Sequence, residues 1–415
     1  MNSALAADTA HNNDFQEIQK IVELQRNSFI SDGYPSAKTR IDRLDRLIAM
    51  LRSNKQKLAA TLKSDYSARS HFDSVVFDIL VPIESLKYCR KNTAKWMKPE
   101  KRGAKFPLNL LGADAHVFYQ PMGVVGIVAP WNFPIQLTFS PLGNAISAGN
   151  RAIIKPSELT PETSALLEEL FKADFSPEEI SVVNGGPDVA AAFTAQAFDH
   201  LVFTGAPSVA KHVMRAAAEN LVPLTLELGG KCPVIIGEGA DIKSAVERIF
   251  TFKTMNAGQI CLAPDYTFVQ AEVLPQFIEC AKNFVAENFG TLADNDDYGS
   301  IINERHRARI AGYIQEAMSK GYQTIPLSDD IGLDKLAHNH KLAPTLVIDP
   351  SNDCKIMSDE IFGPAMPIKT YTNINDVAAH INRGERPLAL YYFGKSKSEI
   401  NMLKHNTTSG GMVVN

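Results

Sequence analysis

The sequence predicts an α/β fold in which a doubly wound parallel sheet is followed by a second α/β region. From Val124 onward, short apolar runs alternate with amphipathic stretches, several of which begin at or after a proline. Such alternation is typical of parallel strands joined by crossover helices. A second alternating region starts at Pro233. A chain of 415 residues is also too long for one ordinary core, so two or three domains are expected.

Before the first strand, the pattern is helical. Ile41, Leu44, Leu47, Ile48 and Leu51 recur at helical spacing, with charged residues between them. This spacing predicts an amphipathic helix that covers a sheet. Further on, residues 98 to 113 contain two prolines, two glycines and several charges, which predicts an excursion from the main body.

The first alternating region favours a dinucleotide site at the carboxyl edge of its sheet. No Gly-x-Gly-x-x-Gly fingerprint opens a helix there, so the pattern alone leaves the cofactor open. The predicted strands are Val124–Ala129, Ala152–Lys155, Ile180–Asn184 and Leu201–Thr204, and the predicted helices start near Pro134, follow Pro161 and run through Val213 and Ala217.

The second alternating region carries a cysteine between its first two strands. The predicted strands are Pro233–Ile236, Tyr266–Val269, Leu346–Ile348, Tyr391–Phe393 and Met412–Val414, with a helix over Phe277–Phe289.

Composition excludes several classes of protein. A net charge of −4 and a pI near 6.2 give no bulk attraction to nucleic acid. Five widely spaced cysteines without a Cys-x-x-Cys pair predict neither a disulfide framework nor a metal site. Residues 1–14 lack the features of a signal peptide, and prolines interrupt the apolar stretch 117–137, so no membrane span is predicted. A cytoplasmic location is expected.

Two side chains suggest covalent chemistry. Cys261 has small neighbours on its amino side, and Glu227 lies 34 positions earlier (261 − 227). A cysteine thiol is intrinsically nucleophilic and suits attack on a carbonyl carbon. A carboxylate can then activate the water that hydrolyses the thioester. Taken alone, an isolated cysteine is more often a small buried hydrophobe, and a glutamate is more often exposed to solvent.

Asn132 is a third candidate, because Trp131 and Phe133 shield its amide from bulk water. A buried amide N–H₂ can donate to an oxyanion. The alternative is an asparagine that only forms the turn before Phe133-Pro134.

Together, six ordered segments resemble the aldehyde dehydrogenase superfamily over roughly residues 20 to 415. The run Cys261-Leu262-Ala263-Pro264-Asp265-Tyr266 is similar to the branch that contains coniferyl, fatty and aromatic aldehyde dehydrogenases. The segments are Gly126–Pro134, Lys155-Pro156-Ser157-Glu158, Phe203-Thr204-Gly205, Glu227-Leu228-Gly229-Gly230-Lys231, Met255–Tyr266 and Glu360-Ile361-Phe362-Gly363-Pro364.

The resemblance implies roles for the three candidates. Cys261 adds to the aldehyde, Asn132 stabilises the oxyanion, and Glu227 deprotonates the water that releases the acid. Members that pass the acyl group to coenzyme A generally lack this glutamate, so hydrolytic release is favoured. The other cysteines, which are expected to be structural, are Cys89, Cys232, Cys280 and Cys354.

The resemblance also implies a bound NAD, with NADP as the alternative. Lys155 is expected to contact the adenosine ribose, and Glu158 to accept from a ribose hydroxyl, which opposes a 2′-phosphate. Ala206 and Ala210 depart from the usual family residues, and the methyl of Ala210 is expected to narrow the approach to the phosphates. The implied cofactor residues are Ala129, Pro130, Trp131, Lys155, Ser157, Glu158, Phe203, Thr204, Gly205, Ala206, Leu228, Glu360 and Phe362.

The implied domains are a Rossmann-type NAD(P)-binding domain, an oligomerisation hairpin and a catalytic domain. Their ranges are 1–103 with 122–228 for the first, 104–121 for the hairpin and 229–415 for the last. Family members continue for several dozen residues beyond a segment like the one that ends at Asn415. A homodimer is implied, and we expect the short end to weaken it.

The leading hypothesis is therefore NAD(P)-dependent oxidation of an aldehyde to its acid. The substrate is expected to be aromatic, such as coniferyl aldehyde, or a medium- to long-chain aliphatic aldehyde. The alternative is a catalytically impaired, truncated homologue that binds nucleotide or partner chains.

Overall fold

The structure is a computed structural model that describes residues 2–333 and 339–415, with side chains from residue 13 onward. The helices are α1 (Asn2–Asp32), α2 (Ala37–Ser53), α3 (Lys55–Tyr66), α4 (His71–Asp73), α5 (Val81–Trp96), α6 (Gln136–Ser147), α7 (Pro161–Asp174), α8 (Pro187–Thr194), α9 (Pro207–Ala218), α10 (Ile242–Thr254), α11 (Leu274–Phe289), α12 (Glu304–Ser319), α13 (Lys355–Ser358), α14 (Ile374–Arg383) and α15 (Lys397–Asn406).

The strands are β1 (Glu100–Arg102), β2 (Ala115–Val117), β3 (Val124–Val128), β4 (Arg151–Lys155), β5 (Ile180–Val182), β6 (His200–Gly205), β7 (Leu224–Leu228), β8 (Pro233–Ile236), β9 (Tyr266–Gln270), β10 (Thr324–Pro326), β11 (Thr345–Ile348), β12 (Ala365–Tyr371), β13 (Ala389–Phe393) and β14 (Gly411–Val414). A π-helical turn spans Ser74–Leu80, and 3-10 turns span Leu108–Leu111, Met255–Gly258 and Ala271–Val273.

The chain forms two compact units. The first contains residues 1–65 and 74–227, and the second contains residues 66–73 and 228–415. The segment 66–73 was expected in the first domain, but it is bonded within the second unit. There, the N–H of Ser300 donates to the carbonyl of Ala68 at 2.8 Å. The functional assignment of the units stays a prediction.

A five-stranded parallel sheet organises the first unit, in the order β5-β4-β3-β6-β7. The chain winds outward from β3 to β5 and then returns to the other side of β3 with β6. This is the doubly wound order that the alternating pattern predicts. Strands β3 and β4 are almost continuously apolar and buried, as expected for central strands that are covered on both faces.

The predicted amphipathic helix is α2. Its residues Leu44, Leu47 and Leu51 are buried, and the hydroxyl of Ser36 caps its first turn by accepting from the N–H of Thr39 at 3.2 Å. The helix packs mainly against α5 and α6, so it forms a second layer and does not cover the sheet directly. The reason is that α6 already occupies the face of β3 and β4 with its apolar side chains.

The predicted excursion is a two-stranded antiparallel ribbon. Strand β1 pairs with β2, with Glu100 opposite Val117, so the ribbon begins before the hairpin range of 104–121 that was expected. Between the strands, Phe106, Leu110 and Leu111 are 78%, 73% and 80% exposed. Large apolar side chains are rarely this exposed together without a binding role.

The second unit is built on a seven-stranded sheet in the order β10-β11-β12-β9-β8-β13-β14. Only β10 is antiparallel to its neighbour among these described strands. Alternate residues of β8 enter different clusters, with Ile235 in one and Val234 and Ile236 in the other. The predicted strands of this region are present, whereas β10 and β12 were not predicted.

Within the described ranges, none of the helices combines the length and the apolar composition that crossing a bilayer requires. The apolar stretch 117–137 contains β3, a turn and the first residues of α6.

Candidate active site

Strand register brings one group of predicted residues to a common edge of the first sheet. Val128, the last residue of β3, pairs with Lys155 of β4 on one side and with Phe203 of β6 on the other. The residues that follow these three positions therefore emerge side by side. They lie at the point where the strand order reverses, which is where open α/β sheets bind their ligands.

Lys155 presents a buried ammonium at this edge. It is 1% exposed, its Nζ donates to the carbonyl of Pro156 at 2.7 Å, and the carboxylate of Glu158 lies 3.8 Å away. Burial lowers the pKa of Lys155. The carboxylate of Glu158 is exposed, while the hydroxyl of Ser157 is engaged in its own loop by the N–H of Leu159 at 3.2 Å. The loop thus offers one cation and one accessible acceptor side by side.

The end of β6 opens into the amino terminus of α9. Ala206 takes an extended backbone conformation as the capping residue, and its methyl cannot cap the first turn. Pro207 has no N–H and the N–H groups of Val209 and Ala210 donate to the carbonyl of Ala206, so the N–H of Ser208 and the positive end of this 12-residue helix face an anion. Gly205 is required beside them, because a Cβ there would lie 2.7 Å from the ring of Phe203. Ala210 is buried, and the narrowing expected from its methyl stays a prediction.

Asn132 lies in the loop that links β3 to α6. Its side chain is 3% exposed, as expected from the flanking Trp131 and Phe133. The loop is anchored by Asp78, whose carboxylate accepts from the N–H groups of Ile135 and Gln136 at 3.1 Å each. Sequence reasoning missed Asp78. The sequence feature that identifies it is a single acid within the apolar run Ser74–Leu80. Such an acid predicts a buried carboxylate that accepts hydrogen bonds from nearby donors.

In the second unit, the segment before Cys261 has an unusual backbone. Asn256, Ala257 and Gly258 all take positive φ values, of 45°, 52° and 73°. Left-handed conformations cost free energy for residues other than glycine, so the surroundings must enforce them. The carboxylate of Asp73 accepts from the N–H of Asn256 at 3.1 Å. A Cβ on Gly258 would lie 2.5 Å from the carbonyl oxygen of Gly363, so this position requires glycine.

Cys261 lies in the turn that follows, with a partly exposed thiol. Side chains fix the carbonyl groups of the turn. The hydroxyl of Tyr391 donates to Leu262 at 2.6 Å, and the ammonium of Lys253 donates to Pro264 at 2.8 Å. Lys253 is completely buried, which lowers its pKa to about 8. The thiol therefore sits on a backbone with little freedom to move.

Three of the other four cysteines are less exposed than Cys261. Cys89, Cys232 and Cys354 are buried, whereas Cys280 is partly exposed on α11. Burial raises the pKa of Cys232 to about 12, which makes this thiol a poor nucleophile at neutral pH. All five lie in the described part of the chain and are thiols rather than disulfides.

Glu360 and Phe362 lie beside the same turn. The carboxylate of Glu360 accepts from the N–H of Gly230 at 3.0 Å and occupies the space where Gly229 has no Cβ. Burial raises the pKa of Glu360 to about 7 against the effect of the Gly230 bond, and the charge of Asp265 raises it further. Phe362 takes a positive φ of 47°, so its bulky side chain is held in a conformation it would otherwise avoid.

Each unit thus assembles part of the predicted set. The first collects Ala129–Asn132, the Lys155–Glu158 loop and Phe203–Ala206 at one sheet edge, with Glu227 exposed on β7. The second contains Cys261 in its turn and Glu360 and Phe362 in the segment after α13. Leu228 begins the second unit. That Asn132 and Glu227 act on Cys261 stays a prediction.

Comparison with known proteins places this geometry in a family. The sequence model of the aldehyde dehydrogenase family matches residues 6–415. The chain is 47% identical over 397 residues to the probable coniferyl aldehyde dehydrogenase of Caulobacter vibrioides, covering 95% of this chain and 82% of that protein. It is 35% identical over 391 residues to aldehyde dehydrogenase family 3 member B1 of Rattus norvegicus, covering 94% and 81%.

A solved structure supports the same family assignment. The substrate-bound state of Staphylococcus aureus AldH superposes with a TM-score of 0.89 at 33% identity, covering 96% of this chain and 85% of that one. These matches confirm the resemblance inferred from the motifs, including its branch. The chain belongs to the aldehyde dehydrogenase family, whose members are oxidoreductases that act on aldehydes.

Proposed function

We propose that the protein oxidises an aromatic aldehyde to its carboxylic acid with NAD(P), through a thioester on Cys261. The observation that carries this proposal is the partly exposed thiol on a turn whose carbonyl groups are fixed by Tyr391 and Lys253. A nucleophile held in one place loses little entropy when the substrate carbonyl approaches.

The residues at the edge of the first sheet fit a dinucleotide. The uncapped start of α9 suits a pyrophosphate, and the exposed carboxylate of Glu158 suits a ribose hydroxyl. A bound nucleotide would supply the hydride acceptor for the oxidation. Lys155 and Glu158 would hold its adenosine end, and Glu360 and Phe362 would hold its nicotinamide end.

The side chains of the protein carry the other steps. The thiolate sulfur of Cys261 bonds to the aldehyde carbon and gives a thiohemiacetal oxyanion, which accepts from the amide of Asn132. Loss of hydride from that carbon leaves a thioester. Glu227 takes a proton from water, the hydroxide adds to the thioester carbon, and the carbon–sulfur bond breaks to release the acid and the thiolate.

The substrate proposal rests on the named relatives. Besides the Caulobacter protein, the coniferyl aldehyde dehydrogenase of Pseudomonas sp. is 45% identical over 403 residues, covering 96% of this chain and 82% of that protein. We therefore place coniferyl aldehyde, which gives ferulate, first among the candidate substrates. Longer aliphatic aldehydes are the alternative.

We also propose that the protein forms a homodimer through its ribbon. The support is the exposed apolar group that includes Phe106, Leu110 and Leu111, which lies between β1 and β2. Light scattering of the purified protein tests this. A monomer at micromolar concentration would contradict it.

One experiment tests the activity. Purified protein is assayed for NADH and NADPH formation with coniferyl aldehyde, benzaldehyde and hexanal, each with and without nucleotide. We expect the highest kcat/KM with coniferyl aldehyde and NAD. Nucleotide binding without any aldehyde-dependent reduction would favour the impaired homologue instead.

A further inference from the structure

Asp265 is a buried acid to which the proposed reaction assigns no role. It belongs to the Ala263-Pro264-Asp265-Tyr266 run that follows the thiol turn and is 3% exposed. Buried carboxylates are retained where ionic and hydrogen-bonding partners compensate for the loss of water. One oxygen of Asp265 accepts from the ammonium of Lys231, and the other accepts from the main-chain N–H of Ile361 at 2.9 Å.

Lys231 extends this link. Its ammonium also donates to the carbonyl groups of Ile356 at 2.9 Å and of Asp359 at 2.8 Å. An ammonium has three N–H donors, and these three acceptors account for all of them. Lys231 therefore orients Asp265 and fixes the chain on the amino side of Glu360.

Helix α12 holds the same segment through its carbonyl groups. Arg309 donates to Glu360 at 3.3 Å and to Ile361 at 3.0 Å. On the same helix, the hydroxyl of Tyr313 donates to the carboxylate of Asp359 at 3.0 Å. The peptide that joins Glu360 to Ile361 is thus bonded at its N–H by Asp265 and at its oxygen by Arg309.

This support matters because the next residue is strained. Phe362 has a φ of 47°, and a bulky side chain keeps such a conformation only where the surroundings determine it. In contrast, the thiol turn has bonds of its own from Tyr391 and Lys253, and the N–H of Ala263 closes it onto the carbonyl of Ile260 at 2.9 Å. Loss of the Asp265 carboxylate should therefore loosen the segment 360–362 more than the turn.

We propose that Asp265, oriented by Lys231, is a positioning residue that holds Glu360 and Phe362 in the geometry required by the bound dinucleotide. The inference rests on the proposed function, which gives Glu360 and Phe362 their contacts with the nicotinamide end. It explains why an acid follows the nucleophile at this short distance. Asp265 links the segment 360–362 to the start of β9, which begins at the next residue.

The test compares nucleotide-dependent oxidation with nucleotide-free ester hydrolysis in Asp265→Ala and Asp265→Asn. In Asp265→Ala we expect the KM for the preferred nucleotide to rise on the order of 10-fold, because the Ile361 N–H loses its buried acceptor. In Asp265→Asn, the amide keeps one acceptor oxygen for the two donors. The nucleotide KM should therefore rise less in this variant than in Asp265→Ala. Hydrolysis of p-nitrophenyl acetate, which uses Cys261, Asn132 and Glu227 but no nucleotide, should be unchanged.

Two further variants keep the test decisive. Arg309→Gln removes the bonds to the carbonyl groups from a partly exposed helix position with little loss of helix propensity, so it should fold and also raise the nucleotide KM. Asp349→Asn is the matched control. That acid holds the N–H and hydroxyl of Thr370 at 2.7 and 2.9 Å near the far end of β12, so it should lower Tm and leave KM unchanged.

The outcomes separate the two proposals. An unchanged nucleotide KM in folded Asp265→Ala and Arg309→Gln would overturn the positioning role, as would an equal loss of oxidation and ester hydrolysis. Absence of nucleotide-dependent oxidation in the wild type would overturn the proposed function instead. In that case, amide hydrogen exchange over residues 360–362 still tests the positioning role. Faster exchange in Asp265→Ala supports this role, and unchanged exchange contradicts it.

Discussion

In the first unit, most of the predicted cofactor residues lie at or just after the carboxyl ends of β3, β4 and β6, and strand register brings them to one edge of the sheet. In the second unit, Cys261 lies on a turn whose carbonyl groups are held by the side chains of Lys253 and Tyr391, and the segment before it is held by the buried carboxylate of Asp73. The arrangement in the first unit results from backbone pairing between strands. The arrangement in the second unit depends on the buried ammonium of Lys253 and on residues with positive φ values.

The difference indicates how each region tolerates change. A loop at a sheet edge can vary in sequence while its strands keep their order, because the strand pairing does not use its side chains. The thiol turn has no such freedom. Its left-handed residues and the buried ammonium of Lys253 persist only while their partners remain in place.

The largest expected effect tests the chemistry of the second region. Cys261→Ala should lower aldehyde oxidation by on the order of 1,000-fold or more, since no other group can form the thioester. Nucleotide binding should persist, because the sheet edge of the first unit is untouched. Steady-state rates and nucleotide titration measure the two properties. Cys280→Ala, which changes the other partly exposed thiol, is the control and should keep its rate.

The second prediction separates the two halves of the reaction. Glu227→Gln should form about one equivalent of reduced nucleotide and then slow by roughly 100- to 10,000-fold, because the general base is lost. Stopped-flow absorbance detects the burst. Glu219→Gln, another exposed acid of the first unit, should turn over normally. A steady-state rate of Glu227→Gln equal to that of the wild type would assign the base to another residue.

The third prediction concerns the buried charge in the second region. The folded state raises the pKa of Glu360 to about 7, so its carboxyl group favours folding below its ordinary pKa of 4.5 and loses this contribution as pH rises through 7. The stability of Glu360→Gln relative to the wild type should therefore increase by roughly 2–3 kcal/mol between pH 4.5 and pH 8. Chemical denaturation at both pH values measures it. A constant difference would show that Glu360 titrates normally.

The smallest effect is expected at the open edge of the first unit. Glu158→Gln removes a charge that should oppose a 2′-phosphate, so the NADPH-to-NADH ratio of kcat/KM should rise by about 3- to 10-fold, limited by solvent screening of an exposed side chain. Glu162→Gln, in the first turn of α7, is the matched control. An unmoved ratio would place the ribose away from Glu158.

Most of the first unit could be predicted from the sequence because its signals are local. The apolar run of β3 and the helix that begins at Pro161 are recognisable without knowledge of their partners. The prediction was less complete where packing between distant segments decides the position of an element. The sequence showed the helical period of α2 but not that α6 would separate this helix from the sheet. It also gave no sign that the segment 66–73 bonds to residues near 256 and 300.

By itself, the sequence determined the family and the doubly wound order, because spacing and residue type record those properties directly, and it predicted the reactive residues. Only the tertiary structure decided which polar side chains support them. Asp78, Asp265, Lys231 and Arg309 act through bonds to main-chain atoms far along the chain, and main-chain atoms have no sequence signature. The left-handed conformation of Asn256 and Ala257 before Cys261 was hidden for the same reason, since it is imposed by neighbouring residues.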